Sequence, residues 1–326
     1  MASVDVVVPS FQYGRYLADC VASILGQEGV DVRVLIVDNA STDGSADIAR
    51  DLAHRDGRVE VVARSRNLGP HASFNAGVAW AAADYFLILC ADDLLAPGAL
   101  ARAAGVMDRH PDVHLSFGRA TAIGPDDPLP SSLGDAGEAE WRVMSGDALL
   151  RRFCGTGRNP LPGPTCVVRT SVQKAAGIYR PELTHTDDME LWMRFTCHGG
   201  AAETDAVQAF QRVHGHNQSA TVADIQLWNL QFEAAFESFF SREGAALPNT
   251  RAYRDMARRS LGERAYWSAF AHLARGEGKT ALALAKFAIR LAPSTLALPP
   301  LGYLLRRRQG AGGRWSGLEA GEPRPS

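Results

Sequence analysis

Three short runs of β-branched residues punctuate the first sixty positions: Val4 to Val8, closed by Pro9, then Val32 to Val37, then Val59 to Val62. They recur about every 28 residues, and continuous apolar runs of this length predict parallel strands buried on both faces. Helix-length segments separate them. Tyr16 to Leu25 sets Leu17, Cys20, Val21, Ile24 and Leu25 on one face, and Ser45 to Leu52 follows a Ser-Thr-Asp-Gly turn of the capping kind. A further helix from about Phe74 to Ala82 leads into Tyr85 to Leu89, the most apolar short run of this half and the expected central strand. Strand alternating with helix predicts βαβ units, and ligands of such sheets gather beyond the carboxyl ends of the strands. Pro9-Ser10-Phe11, Asp38-Asn39 and Ala91-Asp92-Asp93 are therefore expected to converge on one crevice.

Periodicity changes further along. Gly124 to Glu140, rich in Pro, Gly, Asp and Ser, reads as a long loop or flap, and a strand resumes at Cys166 to Arg169. From about Ala223 the pattern is helical, with Leu227, Leu230, Phe232, Phe236, Phe239 and Phe240 in one segment and an Ala-rich stretch from Thr280 to Leu291 in another. Pro299-Pro300 precedes Leu301 to Arg308, and Gln309 to Ser326 has the composition of a disordered tail. The expected organisation is an α/β domain over residues 1–222, its halves meeting near 115, then a helical region over 223–308 and a tail over 309–326.

At 326 residues and 46% hydrophobic, the chain has material for a sizeable core and about two structural units. A net charge of -2 provides no field to hold a polyanionic backbone, so nucleic acid is not an expected partner. The five cysteines lack C-x-x-C spacing, which argues against a zinc cage or a disulfide framework and for a reducing compartment. Neither a signal peptide nor a membrane span is visible, so the expected location is cytoplasmic, or at the cytoplasmic face of a membrane.

Asp92 and Asp93 directly follow the apolar strand. Hard cations such as Mg²⁺ or Mn²⁺ take carboxylate oxygens and keep positions open for phosphate, so a metal-diphosphate site is one reading of the pair. The other is that one aspartate caps the helix beginning near Pro97. Asp38 weighs against the second, because three carboxylates in one crevice repel unless a cation or hydrogen-bond donors compensate.

Val6-Val7-Val8-Pro9-Ser10-Phe11, Val37-Asp38-Asn39-Ala40-Ser41-Thr42-Asp43-Gly44-Ser45, Arg66-Asn67-Leu68-Gly69 and Ala91-Asp92-Asp93 occur in that order. Together they resemble a family 2 glycosyltransferase of the GT-A fold, over roughly residues 3–220: a Rossmann-like, mostly parallel sheet flanked by helices, here with a C-terminal helical appendage. The resemblance implies that Asp38 bonds the nucleotide base, that Pro9 and Ser10 line its pocket, and that Asp92 and Asp93 hold the ribose and the metal-bound diphosphate, Asp92 being favoured for direct metal contact. Cys90 stands where many relatives have a further carboxylate, Asn39 replaces a common acidic residue, and Gln12 a frequent asparagine. Arg66 is placed to reach phosphate oxygens, or is a solvated loop arginine.

Further on, His185-Thr186-Asp187-Asp188-Met189-Glu190-Leu191-Trp192 opens a helix with an acidic pair, which by spacing alone fits helix capping. By resemblance Asp188 is the catalytic base and Asp187 its neighbour toward the acceptor, while Trp192 is an aromatic face for a sugar or a core residue. Arg212-Val213-His214-Gly215-His216-Asn217-Gln218-Ser219 resembles the family's Arg-x-His-x-x-x-x-Ser segment, which makes His214, ahead of His216, a metal or phosphate ligand. Gly163-Pro164-Thr165 stands where relatives line the acceptor cavity.

The implied activity is inverting transfer of a sugar from a nucleoside-diphosphate sugar, UDP-sugar favoured, to a hydroxyl of a saccharide, lipid-linked or small-molecule acceptor, with Mn²⁺ or Mg²⁺. Two alternatives compete with it. A sugar nucleotidyltransferase needs a Gly-rich basic phosphate loop, and Pro9 to Gly14 has neither property. A catalytically inactive binding module is expected to lose Asp188 or the Asp92-Asp93 pair, and both are present. Leu301 to Leu305 followed by Arg306-Arg307-Arg308 reads either as a peripheral membrane contact or as a basic helix end, and the Ala-rich helices as support for a homodimer.

Overall fold

The computed structural model describes residues 1–127, 139–215, 217 and 224–303. The tail over 309–326, the segment Leu304 to Arg308, most of the expected flap, His216, Gln218 and Ser219 lie outside the described residues. In chain order the elements are β1 (Ser3–Ser10), α1 (Gly14–Leu25), β2 (Asp31–Asp38), α2 (Ser45–Arg55), β3 (Val59–Ala63), α3 (Pro70–Trp80), β4 (Tyr85–Ile88), β5 (Leu94–Leu95), α4 (Ala99–Arg109), β6 (Val113–Ile123) and β7 (Trp141–Met144). Then come α5 (Gly146–Thr156), β8 (Val167–Arg169), α6 (Thr170–Ala176), α7 (Asp187–Phe195), β9 (Gly200–Arg212), α8 (Ile225–Ser241), α9 (Thr250–Ala274) and α10 (Gly278–Leu291). They group into two compact units interleaved along the chain, where the sequence pattern predicts a single cut near residue 222.

The first unit, residues 1–146, 161–181 and 198–214, contains the whole sheet, ordered β3-β2-β1-β4-β8-β6-β9-β5, with β7 on β9. Its β3-β2-β1-β4 half is parallel throughout, as the β-branched runs predict, and the other half is mixed: β8 runs antiparallel to both β4 and β6, whereas β6 and β9 are parallel. Val4, Val6, Val8, Val34 and Ile36 are completely buried against Leu17, Cys20, Val21 and Ile24 of α1. At about 1.5–3 kcal/mol for each fully buried aliphatic side chain, this layer is the main favourable term holding the parallel half.

A buried ion fixes the amino-terminal edge of that half. Asp5 on β1 is fully buried, and Arg33 of β2 donates to its two carboxylate oxygens through Nε and Nη2, each at 2.8 Å. The amides of Ala82 and Ala83 also donate to Asp5 Oδ2, at 2.6 and 2.8 Å, so the same carboxylate anchors the turn into β4. With the strands pinned at this end, Ser10 and Asp38 come into register at the other.

The second unit, residues 147–160, 182–197 and 215 onward, is helical. In α7 the buried Glu190 pairs with the buried Arg194 at 3.0 Å and also accepts from Ser238 Oγ of α8 at 3.2 Å, which ties the two helices together. Gly262 lets α9 and α10 approach closely: a Cβ there would stand 2.7 Å from Cβ of Ala292. Among the described residues no helix is long and apolar enough to cross a membrane.

Gly77 plays the same part where α3 crosses β1, since a Cβ would meet Val7 Cγ2 at 2.5 Å and Cγ1 at 2.6 Å. Val7 is buried and β-branched, so it has no alternative rotamer to yield into. Gly77→Ala is therefore expected to lower stability by about 1–3 kcal/mol despite alanine's better helix propensity. Urea unfolding checks this, and Val7→Ala in the same chain should recover part of the loss.

Candidate active site

Two loops close the carboxyl rim of the parallel strands, and they are zipped to each other. Gln12 and Ala40 both have positive φ, 62° and 64°, a conformation that non-glycine residues hold only when neighbours enforce it. The enforcement is visible: Gln12 N donates to Ser41 Oγ at 3.0 Å, Gln12 Nε2 to Thr42 Oγ1 at 2.9 Å, and Thr42 N back to Gln12 Oε1 at 3.2 Å. Asp43 accepts from the Gly14 amide at 2.9 Å and from Ser45, and these hydrogen bonds outweigh partial burial and lower its pKa. Asn39 organises the next loop outward. Its Nδ2 donates to Asn67 Oδ1 at 2.6 Å and Gly69 O at 3.2 Å, while its Oδ1 accepts from Leu68 N at 3.0 Å and Arg64 Nη1 at 3.2 Å.

Within this frame Ser10 and Asp38, adjacent in register, are 2% and 1% exposed. Asp38 Oδ2 accepts from Ser41 N at 3.1 Å, but Asp38 Oδ1 and Ser10 Oγ are buried without a hydrogen-bond partner. Buried polar atoms left unpaired cost about 1–3 kcal/mol each, so two side by side on a strand rim mark a place where a ligand completes the bonding.

Beside them lies the acidic pair. After β4 the chain turns tightly, with Asp93 N donating to Cys90 O at 2.9 Å, and α1 with the turn that follows it holds the backbone beyond: Leu95 N donates to Ser23 Oγ, Gln27 Nε2 to Ala96 O, and Leu100 N to Gln27 Oε1. Asp92 and Asp93 are both buried, and the ligand atoms of Cys90, Asp92 and Asp93 lie within 4.8 Å of one another. Burial raises the pKa of Asp92, and burial together with the charge of Asp92 raises that of Asp93 well above the usual carboxylate range. Strand β9 supplies what relief the protein gives. The Arg212 amide donates to Asp93 Oδ1 at 3.0 Å, whereas its guanidinium is spent on carbonyl oxygens of Asp92, Gly124 and Pro125. His214 Nε2 lies 3.1 Å from Asp92 Oδ2, its ring stacked on Tyr16 at 5.5 Å and edge-on to Tyr13 at 5.6 Å.

The second unit holds the other acidic pair, at the start of α7. Asn159 Nδ2 donates to Asp188 Oδ2 at 3.2 Å and the Met189 amide donates to Asp188 Oδ1. Desolvation nevertheless pushes the Asp188 pKa up to about 6. Asp187 is buried, and desolvation followed by the charge of Asp188 raises it well beyond that of an ordinary carboxyl.

The first unit thus gathers Pro9, Ser10, Asp38, Asp92, Asp93 and His214 on one rim, and the second places Asp187 and Asp188 together. Arg66 is exposed, and the half-buried guanidinium of that loop is Arg64, which bonds Asn39, Ser73 Oγ and Ala72 O. Trp192 is only 4% exposed, packed as a core residue of α7. Sequence reasoning missed Tyr13 and Tyr16 as the walls around His214, although the run Gln12-Tyr13-Gly14-Arg15-Tyr16 beside the rim was a signal for them.

This architecture matches solved structures. The mannosyltransferase PcManGT of Pyrobaculum calidifontis, in complex with GDP-Man and Mn²⁺, aligns with a TM-score of 0.57 at 16% identity over 95% of this chain and 79% of that one. TarS 1-349 of S. aureus, in complex with UDP-GlcNAc, aligns with a TM-score of 0.56 at 16% identity over 91% and 92%. Likeness at such identity defines the fold, which is GT-A. The profile of glycosyl transferase family 2 matches residues 5–172, just over half of the chain, and the protein belongs to that family. Glycosyltransferase GlyG of Streptococcus pneumoniae is 34% identical over 92 residues, 28% of this chain and 31% of its own length. Abequosyltransferase RfbV of Salmonella typhimurium is 34% identical over 116 residues, 34% of each chain. The match spans about a third of the length of these curated relatives.

Asn39 ties the loop after β2 to the Arg64 to Gly69 loop. Asn39→Ala removes four hydrogen bonds inside one loop and is expected to destabilise the protein by about 2 kcal/mol. Thermal unfolding and proteolysis at the Arg64 to Gly69 loop measure it; an unchanged melting temperature would show that the loop is held elsewhere.

Proposed function

We propose that the protein is an inverting glycosyltransferase, moving a sugar from a nucleoside-diphosphate sugar, with UDP-sugars favoured, to a hydroxyl of a saccharide, lipid-linked or small-molecule acceptor. The observation that carries this reading is the buried Asp92-Asp93 pair beside His214 and two unpaired polar atoms, Ser10 Oγ and Asp38 Oδ1. A nucleoside diphosphate and a divalent cation together answer both needs: the base pairs with the orphan atoms and the cation neutralises the acids. PcManGT and TarS, of the same fold, bind GDP-Man with Mn²⁺ and UDP-GlcNAc respectively.

The residues fit a hard cation, Mn²⁺ or Mg²⁺, with Asp92, Asp93 and His214 to hold it; the Cys90 thiol is too soft a donor to belong to that set. When bound, the ion stabilises the charge that develops on the departing diphosphate. Asp92 is the favoured direct ligand, because its Oδ2 faces His214 Nε2, itself a ligand in this reading, whereas Asp93 Oδ1 is held by the Arg212 amide. Asp38, Ser10 and Pro9 seat the base. Asp188 accepts the proton of the acceptor hydroxyl as its oxygen attacks the anomeric carbon, and one in-line displacement inverts that centre. Asp187 lies next to it, where burial and the charge of Asp188 raise its pKa well above the usual carboxylate range.

Calorimetry with a nucleotide panel should find UDP or another nucleoside diphosphate bound in a manner dependent on Mn²⁺, and Asp38→Ala should weaken that binding about tenfold. Absence of binding by every nucleotide, with or without the ion, contradicts the reading. Asp188→Asn is expected to cut transfer by about 10²-fold or more with nucleotide affinity retained. Since the base works ionised and its pKa stands near 6, the rate should climb as pH rises through about 6 and level off above it. A pH-independent rate from 5 to 8, or full activity of Asp188→Asn, would reassign the base.

A further inference from the structure

Helices α9 and α10 form a hairpin whose side away from α8 is apolar at exposed positions. Helix α8 packs against both: Arg264 of α9 donates to Asn229 Oδ1 at 2.7 Å and lies 4.7 Å from the Phe232 ring centroid, and Arg290 of α10 pairs with Glu233 at 2.6 Å. From Arg264 to Leu273 the helix makes about two and a half turns, so Leu273 stands on the opposite side of α9, with Phe270 one turn back beside it. Both are more than half exposed. In α10, Ala281, Leu284, Ala288 and Leu291 are buried, and the opposite face carries Lys279, Leu282, Lys286 and Ile289 at spacings of three and four. Leu282 is again more than half exposed. Large apolar side chains gathered on one exposed face mark a contact surface.

Charge decides what makes the contact. Between Ala265 and Arg308 the sequence has seven lysines and arginines against one acid, Glu277, in a chain whose net charge is -2. Glu277 is itself taken up by His272 and, at 3.4 Å, by Arg275. A two-fold dimer through this face would bring one basic surface against another. An anionic lipid surface complements it, because apolar side chains enter the headgroup boundary while lysine stems extend along them and leave the ammonium among the headgroups. We infer that this face of the α9–α10 hairpin rests on an anionic membrane surface, with Phe270, Leu273, Leu282 and Ile289 entering the lipid boundary and Lys279 and Lys286 meeting the headgroups. The inference stands on the second unit alone and does not depend on the transferase reading.

Co-sedimentation of the full chain with vesicles of phosphatidylglycerol, and separately with vesicles of phosphatidylcholine, tests this. Binding to phosphatidylglycerol should be at least about tenfold tighter, and Lys279→Gln and Lys286→Gln should each weaken it about fivefold. Phe270→Ser combined with Leu282→Ser should weaken it at least about tenfold. Equal binding to the two kinds of vesicle, binding to neither, or binding that all these variants leave unchanged overturns the inference. A dimer in sedimentation velocity that Leu282→Ser dissociates, in a chain that ignores both vesicles, assigns the face to a second copy and overturns it equally. Lys279 and Lys286 are exposed, so their variants decide the matter should the serine variant melt early.

Discussion

Two adjacent carboxylates, Asp92 and Asp93, are held out of water at the end of β4, where burial raises the pKa of both. Arg212 reaches Asp93 through its backbone amide, and its guanidinium donates to carbonyl oxygens of Asp92, Gly124 and Pro125. An arrangement of this kind is tolerable only if the surrounding structure is rigid and a ligand completes the charge balance. Much of the first unit reads as meeting the first condition. Ser23 of α1 and Gln27 just after it clamp the backbone after Asp93, β9 runs alongside β5, and the Asp5–Arg33 pair pins the far end of the parallel strands.

The parallel half of the sheet was legible because burial on both faces demands unbroken runs of β-branched residues, and Val4–Val8, Val32–Val37 and Val59–Val62 are such runs. Asp38 and Asp92-Asp93 could be placed on one rim by the same logic, since a strand's carboxyl end is a position that periodicity defines. Strand β9 shows where that logic stops. Gly200–Arg212 mixes alanines with Glu203, Thr204, Asp205 and Gln208, its pairing with β6 carries register shifts, and nothing in its pattern has the period of a buried strand. It nevertheless delivers Arg212 and His214 to the acidic pair, and only the motif around His214 signalled this.

Other features were invisible for a related reason: they depend on contacts between segments distant in the chain. Segments 147–160 and 182–197 join the C-terminal helices in a separate unit, which no compositional boundary announces. By sequence Trp192 reads more readily as core than as a sugar face, and it is buried in α7; an aromatic ring inside an amphipathic helix carries no label for what covers it. Arg64 and Arg66 differ only in direction along an irregular loop. Asn39 decides between them by capturing Arg64, and a side chain's choice of partner is a tertiary fact.

The two Asp-Asp dipeptides show how environment, not residue type, assigns chemistry. Asp92 and Asp93 are both desolvated, and the first lies against an imidazole, so a pair of oxygens from neighbouring residues is presented together, as a dication requires. At the start of α7 the donors are unequal. Asp188 receives Asn159 Nδ2 and the Met189 amide, which favour its ionised form, whereas burial and the charge of Asp188 push the Asp187 pKa well above the usual carboxylate range. The two carboxyls of that pair therefore meet unequal surroundings, and desolvation raises the better bonded of them, Asp188, to about 6. Acids that share one turn thus differ in how hard each is to ionise, and the donors that each one meets make the difference.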